Sequence, residues 1–298
     1  MKKSNICFAE VLISGILWGI IGVFNRYYAG IGITSVNLVI LRLSLGTALI
    51  FAYLLIRSPK ALKFRWKDAW IFVGAGILSI VVFQTCYMMT IQASSLSLAA
   101  VLLYTSPVFV TIMASLFFKE PFTLRKVGGS VLTVIGCALA AGLTGGVGIT
   151  LPVLVTGLLS GIGYAVYSIF AKAALNRGYA SITITAWSFF FAMIPLLFLA
   201  DFGLIAERIS LGGGKAIIMW ILLALLTEAL PYLLYTDGLV GMEAGKAAVT
   251  VAIEPIVATF VGILFYHETM TLLQGVGTIL VIGAILILNL PAKPKNKN

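Results

Sequence analysis

The chain has 298 residues, 61% of them hydrophobic and only 10% charged, against roughly 45–50% and about 25% in ordinary soluble domains. So few charges cannot coat a water-facing surface, which excludes a soluble enzyme or regulator. The net charge of +10 is spread over short connections rather than gathered on one face or tail, so nucleic acid is not an expected partner.

A hydrocarbon core about 30 Å thick takes roughly 20 apolar residues per helix. Runs of that length recur from end to end and predict spans at 7–28, 35–56, 69–92, 96–118, 124–143, 153–174, 181–200, 215–238, 244–266 and 271–290. The expected fold class is an all-α integral membrane protein of ten transmembrane helices.

In the first span, Met1-Lys2-Lys3 ahead of an apolar run imitates a secretory leader. Glu10 interrupts that run and no small-x-small cleavage site follows, so the segment is read as a retained helix. Glu10, Ser14, Trp18 and Asn25 recur along it at spacings of four and seven, a stripe too polar to face lipid. In the second span Arg42 stands about seven residues in, near enough to an interface to snorkel or to pair with a helix end, and is read as structural.

The third span carries Tyr87 late in its length, and the fourth carries Tyr104 and Pro107. In the fifth, Gly129 and Gly136 lie seven apart on one face; with Gly128 there and Gly275, Gly277 and Gly283 in the tenth, they permit close helix packing or a weak dimer seam. The sixth presents Ser160, Tyr164, Tyr167 and Ser168 as a second polar stripe. In the eighth, Glu228 shares a face with Tyr232 and Tyr235, and in the ninth Glu254 precedes Pro255. Cys7, Cys86 and Cys137 are far apart inside spans and are expected to be small packing residues.

The basic residues set the orientation. With the N-terminus in the cytoplasm, one side holds Lys2, Lys3, Arg57, Lys60, Lys63, Arg65, Lys67, Lys119, Arg125, Lys126, Lys172, Arg177, Lys293, Lys295 and Lys297, and the other only Arg26, Arg208 and Lys215. That 15-to-3 asymmetry is what the positive-inside rule expects for both termini cytoplasmic in a cytoplasmic-type membrane.

The chain also repeats itself. A shift of 146 pairs Ser14 with Ser160, Gly15 with Gly161, Trp18 with Tyr164, Phe24 with Phe170 and Arg26 with Lys172. A shift of 148 pairs Tyr87 with Tyr235, Pro107 with Pro255, Thr111 with Thr259, Glu120 with Glu268 and Gly129 with Gly277. The units are 1–146 and 147–298; each holds five helices, an odd number, so the second must enter the membrane from the opposite side. Inverted repeats around a central cavity, with substrate near the midplane, are a recurring construction of secondary transporters.

The residues that carry a family likeness are Trp18-Gly19, Ser106-Pro107-Val108-Phe109 followed by Lys119-Glu120, and Glu254-Pro255 followed by His267-Glu268 and Gln274-Gly275-Val276-Gly277. In these the chain resembles the drug/metabolite transporter superfamily, EamA type, over nearly its whole length. The resemblance implies ten helices, cytoplasmic termini, a cavity between the halves, and export or exchange of amino acids, amines or similar metabolites.

Ionisable groups within spans are costly enough to need a reason. Glu254 lies about ten residues into its span, near mid-membrane at about 1.5 Å per residue, beside a proline that frees a backbone carbonyl. Glu254 and Glu228 are therefore the candidate cation or proton sites, with Glu228 read as substrate-facing in preference to a structural pair with Arg42. Trp18 and Tyr164, each about eleven residues into its span, are expected to wall the cavity, with Tyr104. Aromatic faces beside a carboxylate suit an amine. Tyr87 and Tyr235 are each expected to lid one entrance, and Pro107 and Pro255 to act as hinges.

The expected function is a carrier for a small polar metabolite, an amino acid or organic amine, driven by a proton, sodium or substrate gradient, because no GxxxxGK[ST] loop is present. A multidrug efflux carrier is the alternative within that class. An intramembrane enzyme is the alternative outside it, but His267 is the only histidine and has no HExxH context; no catalytic residue, metal or cofactor is expected.

Overall fold

The computed structural model describes residues 2–142 and 150–289, apart from the side chains of Lys2 and Lys3. The expected boundary at 146 and the basic residues Lys293, Lys295 and Lys297 lie outside the described residues.

Eight helices among the described residues are long and apolar enough to cross a membrane: α1 (Ser4–Gly30), α2 (Ser35–Arg57), α3 (Trp66–Ala93), α4 (Leu96–Phe118), α6 (Leu151–Asn176), α8 (Phe202–Gly241), α9 (Ala244–Tyr266) and α10 (Leu272–Asn289). Two further helices, α5 (Leu124–Ala140) and α7 (Ser181–Leu197), have 17 residues each. The chain is a multi-pass membrane protein, and apolar side chains line its outer surface, among them Leu116, Phe117, Leu264 and Phe265.

Helix ends fall where local chemistry stops or starts them. Thr34, Ser95 and Thr123 cap α2, α4 and α5 by accepting from the N–H groups of Asn37, Leu98 and Lys126. In α8, Gly213 leaves the helical region with φ 58° and separates an amphipathic stretch from the apolar run expected from residue 215.

The 148-residue shift seen in the sequence recurs in the backbone. Helix α4 breaks into Leu96–Leu103 and Ser106–Phe118, and α9 into Ala244–Val251 and Glu254–Tyr266. Thr105 N–H donates to Leu102 at 3.2 Å and Val108 N–H to Thr105 at 3.0 Å; in α9, Ile253 donates to Thr250 at 3.3 Å and Ile256 to Ile253 at 3.1 Å. Both helices end in the left-handed conformation on non-glycine residues, Lys119 and His267, each with φ 55°. Helix α3 widens into π-helix over Gly74–Val81 and α8 over Leu225–Ala229, again ending 148 residues apart.

The breaks correct the expectation for the prolines. Pro107 and Pro255 do not kink continuous helices; they open the second halves of α4 and α9, where a missing N–H leaves no bond unmade. The irregular backbone lies just before them, at Tyr104–Thr105 and Ala252–Ile253.

Helices α5 and α10 pack antiparallel along their length. Gly129 meets Leu288, Gly136 meets Val281, and Gly277 meets Ala140. These glycines serve packing within the chain, whereas Gly128 and Gly283 have open space where a side chain would stand.

Candidate functional site

Each outermost helix of one half lies across the broken helix of the other. A methyl group at Gly15 of α1 would stand 2.8 Å from the Val251 carbonyl oxygen at the break in α9, and one at Gly161 of α6 would stand 3.0 Å from the Leu102 carbonyl oxygen at the break in α4. Only hydrogen at these positions lets the helices approach the breaks so closely. One turn further along, Gly19 lies against the Glu254 carbonyl.

These crossings carry Trp18 and Tyr164 to the same place. Their ring centroids are 6.1 Å apart, and with Ser79, Phe83, Tyr167, Tyr232 and Tyr235 they line a small void. Trp18 meets Tyr232 edge-on at 5.2 Å, Tyr167 meets Tyr232 at 4.9 Å, and Phe189 meets it at 5.0 Å. Hydrogen bonds anchor the rings, between Tyr235 and Ser168 at 2.7 Å and between Tyr167 and Thr236 at 2.9 Å. The expected open cavity is corrected to a closed aromatic seam with room for no more than a water molecule. Edge-to-face packing of five rings in an apolar setting favours that closure.

Of the residues singled out in the sequence, Trp18, Tyr164, Tyr167, Tyr232 and Tyr235 meet on this void. Tyr104 and Glu254 lie close together beside it, at the breaks in α4 and α9, and the Tyr104 ring belongs to a buried apolar cluster with Val249, Ala252 and Ile256. Tyr87 is half-buried and stacks on Phe83 at 5.9 Å, off the void itself.

Glu228 is placed differently. It is fully buried in the π-helical turn of α8, and its Oε2 lies 3.0 Å from Arg42 Nε in α2, although neither atom meets hydrogen-bond geometry. A buried carboxylate and guanidinium at that distance form an ion pair. The expectations that Glu228 looks into the chamber and that Arg42 snorkels are both corrected, because Arg42 is drawn inward by its partner across the bundle.

Besides the Arg42–Glu228 pair, the buried polar atoms without a hydrogen-bond partner among the described residues include Tyr164 Oη, Gln84 Nε2 and Thr185 Oγ1. Tyr164 Oη belongs to a ring that lines the void. Phe83 and Ser79 are lining residues that sequence reasoning missed. Their signal was weak: Phe83 precedes Tyr87 by one helical turn, and nothing in the sequence marks the π-turn that aims Ser79 inward.

The two breaks are equivalent in backbone but not in charge, for the position before the proline is Ser106 in one and Glu254 in the other. A paired set of half-helices crossed by reciprocal helices, with one acid between them, is found alongside a match to the EamA-like transporter family over residues 5–142 and again over 151–290. The chain belongs to that family. An uncharacterized transporter of Archaeoglobus fulgidus is 25% identical over 283 residues, 94% of each chain. The uncharacterized transporter YdfC of Bacillus subtilis is 26% identical over the whole of this chain and 95% of its own. The uncharacterized inner membrane transporter YicL of Salmonella typhimurium is 23% identical over 95% of each. A crystal structure superposes with a TM-score of 0.77 over 95% of this EamA-family chain and 96% of its own at 14% identity, a likeness of fold. The family is one of transporters.

Proposed function

We propose that this chain is a secondary carrier that moves a small polar metabolite, an amino acid or organic amine, by alternating access. In this reading α1 to α10 all cross the membrane as two inverted halves, 1–146 and 147–298, with both termini in the cytoplasm. The membrane is the cytoplasmic one, as in the relative named for the inner membrane. The relatives named as transporters support the class of activity.

The observation that carries the proposal is the reciprocal crossing of α1 on the α9 break and α6 on the α4 break, with Glu254 at one break. In this reading the Glu254 carboxylate, the Tyr104 hydroxyl and the aromatic seam lie between units that rock about the antiparallel α5–α10 contact. An ammonium group gains from both the carboxylate and the ring faces. The gradient that drives it is of protons, sodium or the solute itself, with Glu254 the group that would carry a coupling proton or cation.

The test is counterflow of radiolabelled amines and amino acids in liposomes containing only this protein, after a thermal-shift screen. A ligand at 100 times its dissociation constant stabilises by about 2.7 kcal/mol. Exchange of a solute that requires Glu254 supports the reading; intact, stable protein that exchanges none of these solutes overturns it.

A further inference from the structure

Both ends of the bundle are tied by charges, and the ties sit at repeat-equivalent positions. Glu120 and Glu268 each follow a left-handed residue that ends α4 or α9, yet they hold different partners. Glu120 is nearly buried and reaches the other half: its Oε1 accepts from the N–H of Ala244, the first residue of α9, at 2.8 Å. Lys126 binds Glu120 at 3.3 Å and Glu243 at 2.7 Å. Glu268, half-exposed, instead pairs with Arg26 on α1, whose guanidinium also lies 3.9 Å over the Tyr266 ring.

The cations show the same asymmetry. Lys172 is the repeat equivalent of Arg26, but its ammonium donates to the carbonyls of Leu239 at 2.5 Å and Met242 at 2.9 Å. At the Glu120 end the halves are therefore fastened to each other through the start of α9, while Lys172 ties α6 to the end of α8 within the second half. At the Glu268 end the equivalent groups, Leu96 N–H and the carbonyls of Ile91 and Ser94, are not what Glu268 and Arg26 hold.

Resting on the carrier reading above, we infer that Glu120 and Glu268 are the two access latches and exchange roles in the transport cycle. In the opposite state Glu268 takes the Leu96 N–H and Arg26 the carbonyls of Ile91 and Ser94, while Glu120 releases Ala244 and pairs with Lys172. Two similar halves with two arrangements must swap them when the molecule turns inside out.

The latches are unequal in strength. The equivalent of Lys126 is Gln274 and that of Glu243 is Ser95, so the second latch has no ammonium to hold its carboxylate. The state described here, fastened at the Glu120 end, is the favoured one.

The experiment replaces Cys7, Cys86 and Cys137 and introduces single reporters at the equivalent positions Ser94→Cys and Met242→Cys. Labelling by a bulky maleimide is timed in detergent. With Glu120→Ala, Met242→Cys should react about tenfold faster and Ser94→Cys slower, since a charge-assisted bond lost from one state is worth about a decade in the equilibrium. Gln274→Lys, which adds the missing cation, should move both reporters the same way with the first latch intact. Reporters that stay still in both variants, or that rise together, overturn the exchange. Solute counterflow is read separately: opposite movement of the reporters without exchange of any solute keeps the latches and removes the carrier.

Discussion

Trp18 of α1 and Tyr232 of α8 meet edge-to-face, centroids 5.2 Å apart at 84°, and this contact between the two halves seals the void. Trp18→Ala should cut solute exchange by on the order of tenfold or more, whereas Trp18→Phe retains most of it. Counterflow in liposomes measures both. Deleting a buried indole also costs about 3–5 kcal/mol of stability, so thermal unfolding in detergent must accompany the assay.

The Glu254 carboxylate, close to Tyr104, is the one acid at the helix breaks. Glu254→Gln keeps the shape and a hydrogen-bond acceptor while removing the charge. Exchange of a cationic amine should fall by about two decades, the loss expected for an ammonium deprived of its partner at roughly 2–3 kcal/mol. If Glu254 carries a coupling proton, the residual exchange should be flat between pH 6 and 8; a pH profile that keeps the wild-type shape removes Glu254 from coupling.

Arg42 and Glu228 are both buried, with Nε and Oε2 3.0 Å apart. Glu228→Ala strands a guanidinium and should lower stability by about 3–5 kcal/mol, while the paired change Arg42→Met with Glu228→Leu should cost much less. Melting temperatures of the wild type, Arg42→Met, Glu228→Leu and their combination in one detergent form the double-mutant cycle that decides this, with Glu228→Ala measured beside them.

Gly15 and Gly161 face carbonyls of the opposite half's broken helix at 2.8 and 3.0 Å from where a methyl group would stand. Gly15→Ala and Gly161→Ala should each destabilise by about 1–3 kcal/mol, the usual cost of overpacking. Gly128→Ala and Gly283→Ala, which meet open space, should leave the melting temperature unchanged. Equal effects at all four sites would contradict the packing described here.

Much of the architecture was legible in the sequence because hydropathy reports burial in lipid directly. The spans expected at 96–118 and 244–266 coincide with α4 and α9 to the residue, and the others differ at their ends by a few residues, except where Gly213 separates Phe202–Gly212 from the apolar part of α8. The pairing of Trp18 with Tyr164 was legible for a related reason: the two hold equivalent positions in the repeated sequence, and their rings are 6.1 Å apart.

Only the tertiary structure decided the rest. Hydropathy does not sense backbone register, so the breaks before Pro107 and Pro255 and the π-turns of α3 and α8 were invisible to it. It does not say which helices touch, so Arg42 looked peripheral until α2 was found beside Glu228. Composition and periodicity determined a multi-pass membrane chain built twice over. Long-range packing determined that its aromatic stripes close on each other and that Glu120 and Glu268, equal by descent along the chain, hold unequal partners.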